Sequence, residues 1–252
     1  MSVLNNHALE LRGLSKRFER PVVDALDLRV RRGEIYALLG VNGAGKTTTL
    51  RMATGLLMPD AGSVHIFGVD LLAQPEAAKR PVAYLPDEPL LYGKLTALEY
   101  LVFVAGLWKV PAAQAAASAE VLLALLGLAP HAQELTESYS RGMKQKLALA
   151  GALIHQPELI ILDEPLTGLD AHAARQVKDL LHRHTADGGT VVMTTHILEV
   201  AERMADRIGI LQHGRLIGEG SLDQLRMQAQ QRDGSLEDVF LRLTESSHAS
   251  TV

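Results

Sequence analysis

The stretch EIYALLGVNGAGKTTTLRMATGL, residues 34–56, decides the fold. Glu34 to Gly40 is a nearly continuous apolar run, the texture of a strand buried on both faces of a parallel sheet. GVNGAGKTT (Gly40 to Thr48) follows at once, a Gly-rich turn opening the helix KTTTLRMATGL. Glycines let backbone amides curl around an anion, and a helix N-terminus adds unpaired N–H groups and the positive end of its dipole. The G-x-x-x-x-G-K-T spacing therefore predicts a phosphate loop built from Gly40, Asn42, Gly43, Ala44, Gly45, Lys46, Thr47 and Thr48. Lys46 is expected to reach the β- and γ-phosphates of a nucleotide, and the Thr47 hydroxyl to ligate Mg²⁺.

A second buried run, LIILDEP (residues 159–165), delivers Asp163 and Glu164 at its C-terminal end. Open α/β sheets place chemistry at that edge. Asp163 is expected to hold Mg²⁺ through water and Glu164 to take a proton from an attacking water. Without the phosphate loop, Asp-Glu-Pro reads equally as a solvated turn. A third run, VVMTTH (191–196), puts His196 at a strand end beside them. Its imidazole can hydrogen-bond a γ-phosphate, or the residue is a helix cap or surface group.

The rest of the chain fits around these strands. LELRGLSKRF and DALDLRVRRGEI alternate as half-exposed strands, and GSVHIFG and RPVAYLPDEP add two more. From Leu95 to about His155 the texture turns Ala/Leu-rich with helical spacing. RIGILQHGRLIGEG reads as a hairpin across His-Gly, and SLDQLRMQAQ and GSLEDVFLRLTE as short helices before a frayed SSHASTV tail. The expected class is α/β: a core with a mostly parallel sheet, an N-terminal antiparallel β subdomain and an inserted α-helical subdomain. The expected division is 1–94 with 156–225 for the ATP-binding core, 95–155 for the insertion and 226–252 for a helical tail.

Composition sets limits. The 252 residues carry a net charge of −4, so no basic field draws in nucleic acid. There is no cysteine, hence no disulfide framework or thiolate metal site. The apolar run YLVFVAGLW (100–108) is too short to span a bilayer, and MSVLNNHALELRG has no basic stretch leading an apolar one, so no secretory signal is expected.

These motifs, in this order and spacing, resemble the ATPase subunit of ATP-binding cassette (ABC) transporters over about Leu9 to Gly220. GVNGAGKTT is similar to that family's Walker A loop and LIILDEP to its Walker B with catalytic glutamate. YSRGMKQKL (139–147) is similar to its signature motif, LTGLD with Asp170 to its D-loop, and TTH to its switch-histidine region. Phe18, in SKRF, sits where the family stacks an aromatic on adenine; a strand-edge apolar contact is the other reading.

The resemblance implies ATP and Mg²⁺ as cofactors and a head-to-tail pair of ATPase subunits, a homodimer here. In such a pair Ser140, Arg141 and Gly142 of one copy meet the ATP of the other. Ser140 is also placed to cap its own helix. The resemblance further implies separately encoded membrane permease subunits, exporter-type work, no nucleic-acid partner, and a cytoplasmic location peripheral on the inner membrane.

Two departures stand out. Arg141 and Met143 replace the signature's usual Gly and Gln, and Arg141 either adds a cation near phosphate or points to solvent. Asp87, followed by Glu88, replaces the family's Q-loop Gln; it either binds metal through water or belongs to a solvated turn. Leu90, Leu91 and Tyr92 suit a groove for a permease helix, or serve as anchors for the inserted helices. The rival function is a soluble ABC-type ATPase acting on ribosomes or DNA. A GTPase of the common type is excluded by the lack of an Asn-Lys-x-Asp tetrapeptide.

Overall fold

The computed structural model describes residues 6–231 and 233–249. Its strands are β1 (His7–Arg17), β2 (Pro21–Arg31), β3 (Ile35–Leu39), β4 (Ala61–Ile66), β5 (Val69–Asp70), β6 (Val82–Leu85), β7 (Leu159–Leu162), β8 (Thr190–Thr195), β9 (Arg207–Gln212) and β10 (Arg215–Gly220). The helices are α1 (Lys46–Ala53), α2 (Pro75–Lys79), α3 (Ala97–Leu107), α4 (Ala112–Leu125), α5 (Arg141–Leu153), α6 (Ala171–Ala186), α7 (Leu198–Met204), α8 (Leu222–Gln228) and α9 (Leu236–Ala249).

The main sheet runs β10-β9-β3-β8-β7-β6, and all its pairings are parallel except β10 on β9. The second sheet, β2-β1-β4-β5, is antiparallel. The expected class is thus the observed one. Every residue of β3, β7 and β8 is buried, because the sheet is covered on both faces. Ile35, Ala37 and Leu39 enter one apolar cluster with α3, α4 and α5, while Tyr36 and Leu38 enter another with α1 and the antiparallel sheet. Each such Leu or Ile contributes about 1.5–3 kcal/mol by burial.

Register then places the chemistry. Leu39 lies opposite Thr195, Leu162 opposite Met193, and Leu85 opposite Leu162. Gly40, Asp163 and His196, each one residue past a strand, and Asp87, two past β6, therefore emerge along one carboxyl edge.

Two sequence expectations need adjustment. The start of β1 is not half-exposed: Ala8 to Leu11 are all buried, since β2 and β4 flank the strand. The buried Glu10 is matched by Arg12 and Arg29 at 2.7 and 2.9 Å, which hold its carboxyl below the usual range, the Arg12 hydrogen bond acting most strongly and burial opposing. The tail expected to fray is helical through Ala249, because Ser235 and Asp238 cap each other's backbone and Leu236 and Val239 are buried; its last residues, 250–252, lie outside the described ones. The hairpin is as expected, with His213 and Gly214 both left-handed (φ 48° and 76°), as a two-residue turn requires.

Candidate active site

The phosphate loop is a nest at the head of α1. Gly43 and Gly45 take positive φ, and a Cβ on Gly45 would fall 2.5 Å from the Val22 carbonyl. No side chain caps α1 and its first turn holds no acid, so its leading amides face an incoming anion undiluted. Lys46 is buried, with Nζ donating to the Gly40 carbonyl at 2.7 Å and lying 3.4 Å from Glu164 Oε1. A cavity of 220 Å³ is lined by Val22, residues Val41 to Thr48, Asp87 and Glu164.

The acidic pair splits into two environments. Asp163 is 1% exposed and accepts the Thr194 hydroxyl at 2.6 Å. The same Thr194 oxygen accepts the Glu164 amide at 3.0 Å. Glu164 has φ 49°, a strained value for a non-glycine, and this turns its carboxylate away from the strand line. That carboxylate, 12% exposed, lies between Lys46 and His196, whose Nδ1 is 2.9 Å from Oε2.

Asp87 joins these acids. Burial first, and then the negative fields of Asp163 and Glu164, raise its pKa, while Arg141 opposes them. Thr47, Asp163 and Asp87 are hard oxygen donors of the kind Mg²⁺ prefers, and among the described residues the buried Asp163 carboxylate accepts a hydrogen bond only from Thr194, so the donor set fits the ion.

The remaining expected residues lie apart from this cavity. Ser140 caps α5 by accepting the Met143 amide at 3.3 Å, and neither it nor Gly142 lines the cavity. Arg141 is exposed, yet it is not simply in solvent: its side chain covers Gly168, with Nε 3.1 Å from where a Cβ would be. Asp170 caps α6 through the Ala173 amide at 2.8 Å, which with the His172 amide holds its carboxyl below the usual range. Phe18 is 58% exposed, with the Lys16 ammonium 5.7 Å from its ring and no place in the cavity wall.

Sequence reasoning missed Thr194, whose only signal was a hydroxyl residue in TTH, and Tyr84. The Tyr84 hydroxyl is buried near the Arg51 side chain; burial raises its pKa, Asp163 adds, and Arg51 opposes. It read α9 as a short helix but not its place, where Phe240 lines a gap beside Gly40, Asn42 and His196.

A strained carboxylate beside a buried lysine at the mouth of an amide nest is equipped to bind a phosphate chain and deprotonate a water next to it. Known proteins agree. The profile of the family described as "ABC transporter" matches residues 23–167. The daunorubicin/doxorubicin resistance ATP-binding protein DrrA of Streptomyces peucetius is 37% identical over 227 residues, covering 90% of this chain and 69% of its own. The Nod factor export ATP-binding protein I of Ralstonia nicotianae is 38% identical, covering 86% and 68%. A solved structure described as "Structure of ATP binding subunit of ABC transporter" superposes with a TM-score of 0.88 at 36% identity, over 94% of this chain and 99% of that one. With its phosphate loop and acidic strand end inside the matched region, the chain belongs to the ABC transporter family, as an ATP-hydrolysing ATP-binding subunit.

Proposed function

We propose that two copies of this chain close head to tail over two ATP molecules and drive separate membrane subunits in export. The observation that carries the reading is the placement of Glu164 between Lys46 and His196, while Ser140 and Gly142 of the same chain stand outside the cavity. Each chain then holds half of two sites. The amide nest and Lys46 bind the phosphate chain. Glu164 accepts a proton from the attacking water, and His196 holds the Glu164 carboxylate in place. Ser140 and the Gly142 amide at the head of α5 grip the γ-phosphate on the partner. Thr47, Asp163 and Asp87 would hold Mg²⁺, which would supply positive charge against the phosphates.

The export direction rests on relatives named for drug resistance and for Nod factor export. Among the described residues no helix is long and apolar enough to cross a membrane, so on this reading the channel is built by other chains. Their contact is proposed at a 510 Å³ groove lined by Pro89, Leu90, Tyr100, Val104, Trp108 and His155. Leu90 is 94% exposed, Tyr92 meets Phe103 edge-on at 5.1 Å, and Trp108 stacks on His155 at 3.8 Å. An apolar helix inserted there touches the Asp87 loop directly, on a cytoplasmic membrane face. Within this reading, residues 95–155 act as the inserted helical subdomain that carries the groove and the signature.

Glu164→Gln tests the proposal. ATP should then convert the monomer to a long-lived dimer, seen by sedimentation, with hydrolysis lost. A variant that hydrolyses ATP at the unmutated rate would show that another group is the base.

A further inference from the structure

Buried polar groups are nearly always hydrogen-bonded, so a buried donor without a partner calls for an explanation. Gln145 is such a case among the described residues: it is 5% exposed, and its Nε2 meets no acceptor. Buried ring nitrogens of His65, His155 and His184 also lack partners, but a neutral imidazole can leave a single acceptor there, whereas the Gln145 amide leaves two N–H donors.

Its place in the fold gives the group a use. Gln145 lies on α5 three residues after Gly142 and four after Arg141, hence on their face of the helix. That face meets the segment that follows the acidic pair. Arg141 Nε is 3.1 Å from where a Cβ on Gly168 would stand, and Leu169 Cδ2 is 3.5 Å from where one on Gly142 would. Segment 165–168 continues directly from Glu164, and the carbonyls of Pro165, Thr167 and Gly168 accept no backbone hydrogen bond among the described residues. A donor without an acceptor and acceptors without backbone donors therefore lie on facing elements.

Nucleotide can bring them together. Lys46 Nζ lies 3.4 Å from Glu164 Oε1. A phosphate chain in the amide nest competes for that ammonium, and Glu164, at its strained φ of 49°, loses one of the contacts that hold it. We infer that Gln145 is a positioning residue for hydrolysis: once phosphate draws Lys46 from Glu164, segment 165–168 closes on α5, one of its carbonyls accepts the Gln145 amide, and this bond fixes Glu164 for proton abstraction. This rests on the reading of Glu164 as the base. The resting chain bears the cost of the orphaned donor, and the working state recovers it.

Gln145→Met, of similar length but with no donor, tests this in the full chain. Calorimetry without nucleotide should give an unchanged or higher Tm, because the substitution removes an orphaned group. Steady-state ATP hydrolysis should show kcat lowered about three- to ten-fold, the worth of one hydrogen bond made only in the working state, with KM within about two-fold. Gln145→Leu should behave alike. A Tm lower by about 3 °C or more in both variants overturns the inference, since the amide would then be satisfied already in the resting chain. An unchanged kcat overturns it as well. Glu164→Gln, measured alongside, keeps the two readings apart: full hydrolysis by that variant refutes the base assignment, while its loss beside an unchanged kcat in Gln145→Met refutes the role of Gln145 alone.

Discussion

Replacing Thr194 with Val tests how the two carboxylates are held. The side chains have nearly the same shape, so the substitution removes one hydroxyl from a buried site. That hydroxyl donates to Asp163 at 2.6 Å and accepts the Glu164 amide at 3.0 Å. Losing the first bond, to a charged and buried acceptor, costs about 1.5–3 kcal/mol, and orphaning the amide costs about 1–3 more. Because Glu164 is not sealed from water, we take the lower part of that sum, about 3 kcal/mol. In a chain of this size 1 kcal/mol moves Tm by about 2–4 °C, so Tm should fall by about 6–12 °C. Glu164 also loses the bond that pins its strained φ of 49°. A carboxylate displaced by about 1 Å lowers kcat by about a hundred-fold. Calorimetry and steady-state ATP hydrolysis read both effects, with Thr195→Val as the neighbouring control and Thr194→Ser as the rescue. If Thr194→Val melts with the control and hydrolyses within two-fold of the unmutated chain, Thr194 does not hold the two carboxylates in this way.

Other expectations follow from the same geometry. His155 and His184 are both depressed in pKa, chiefly by burial, so the fold keeps them neutral while the unfolded chain takes a proton near the ordinary value of about 6.5. Stability from urea melts should therefore fall as pH drops below about 6.5, and the fall should flatten in a His155→Gln/His184→Gln chain. Leu90→Asp should leave melting and ATP binding intact, since the side chain is 94% exposed, yet abolish recovery of the chain with its membrane subunits in detergent extracts. Arg141→Gly should lower the hydrolysis rate more when residue 87 is Asp than in an Asp87→Gln background, and a coupling below about 0.5 kcal/mol in that cycle would show the two sites to be independent.

The parallel core was legible because its signals are local. Ile35–Leu39, Leu159–Leu162 and Thr190–Thr195 are short apolar runs that end in polar residues, and sheet register alone brings those ends together. What stayed hidden depends on three-dimensional partners. Thr194 looks like any strand threonine until β7 and β8 align and its hydroxyl falls between Asp163 and Glu164. Glu10 sits in an alternating pattern that predicts exposure, and only the flanking of β1 by β2 and β4 buries it. The position of α9 beside the phosphate loop has no local signature, because its amphipathic pattern says which face is buried but not against what.

The two departures from the family pattern, read separately in the sequence, belong to one electrostatic neighbourhood in the structure. An Asp in place of Gln at position 87 adds a third carboxylate beside Asp163 and Glu164, and its pKa is raised first by burial and then by those two charges. An Arg in place of Gly at position 141 adds a cation whose side chain lies over Gly168, in the segment leading on from Glu164, and whose charge lowers that same pKa. A neutral Gln would not need this counter-charge, and a Gly in the signature could not provide it. The pair also links the sheet edge, where Asp87 lies two residues past β6, to the start of α5, which carries Arg141.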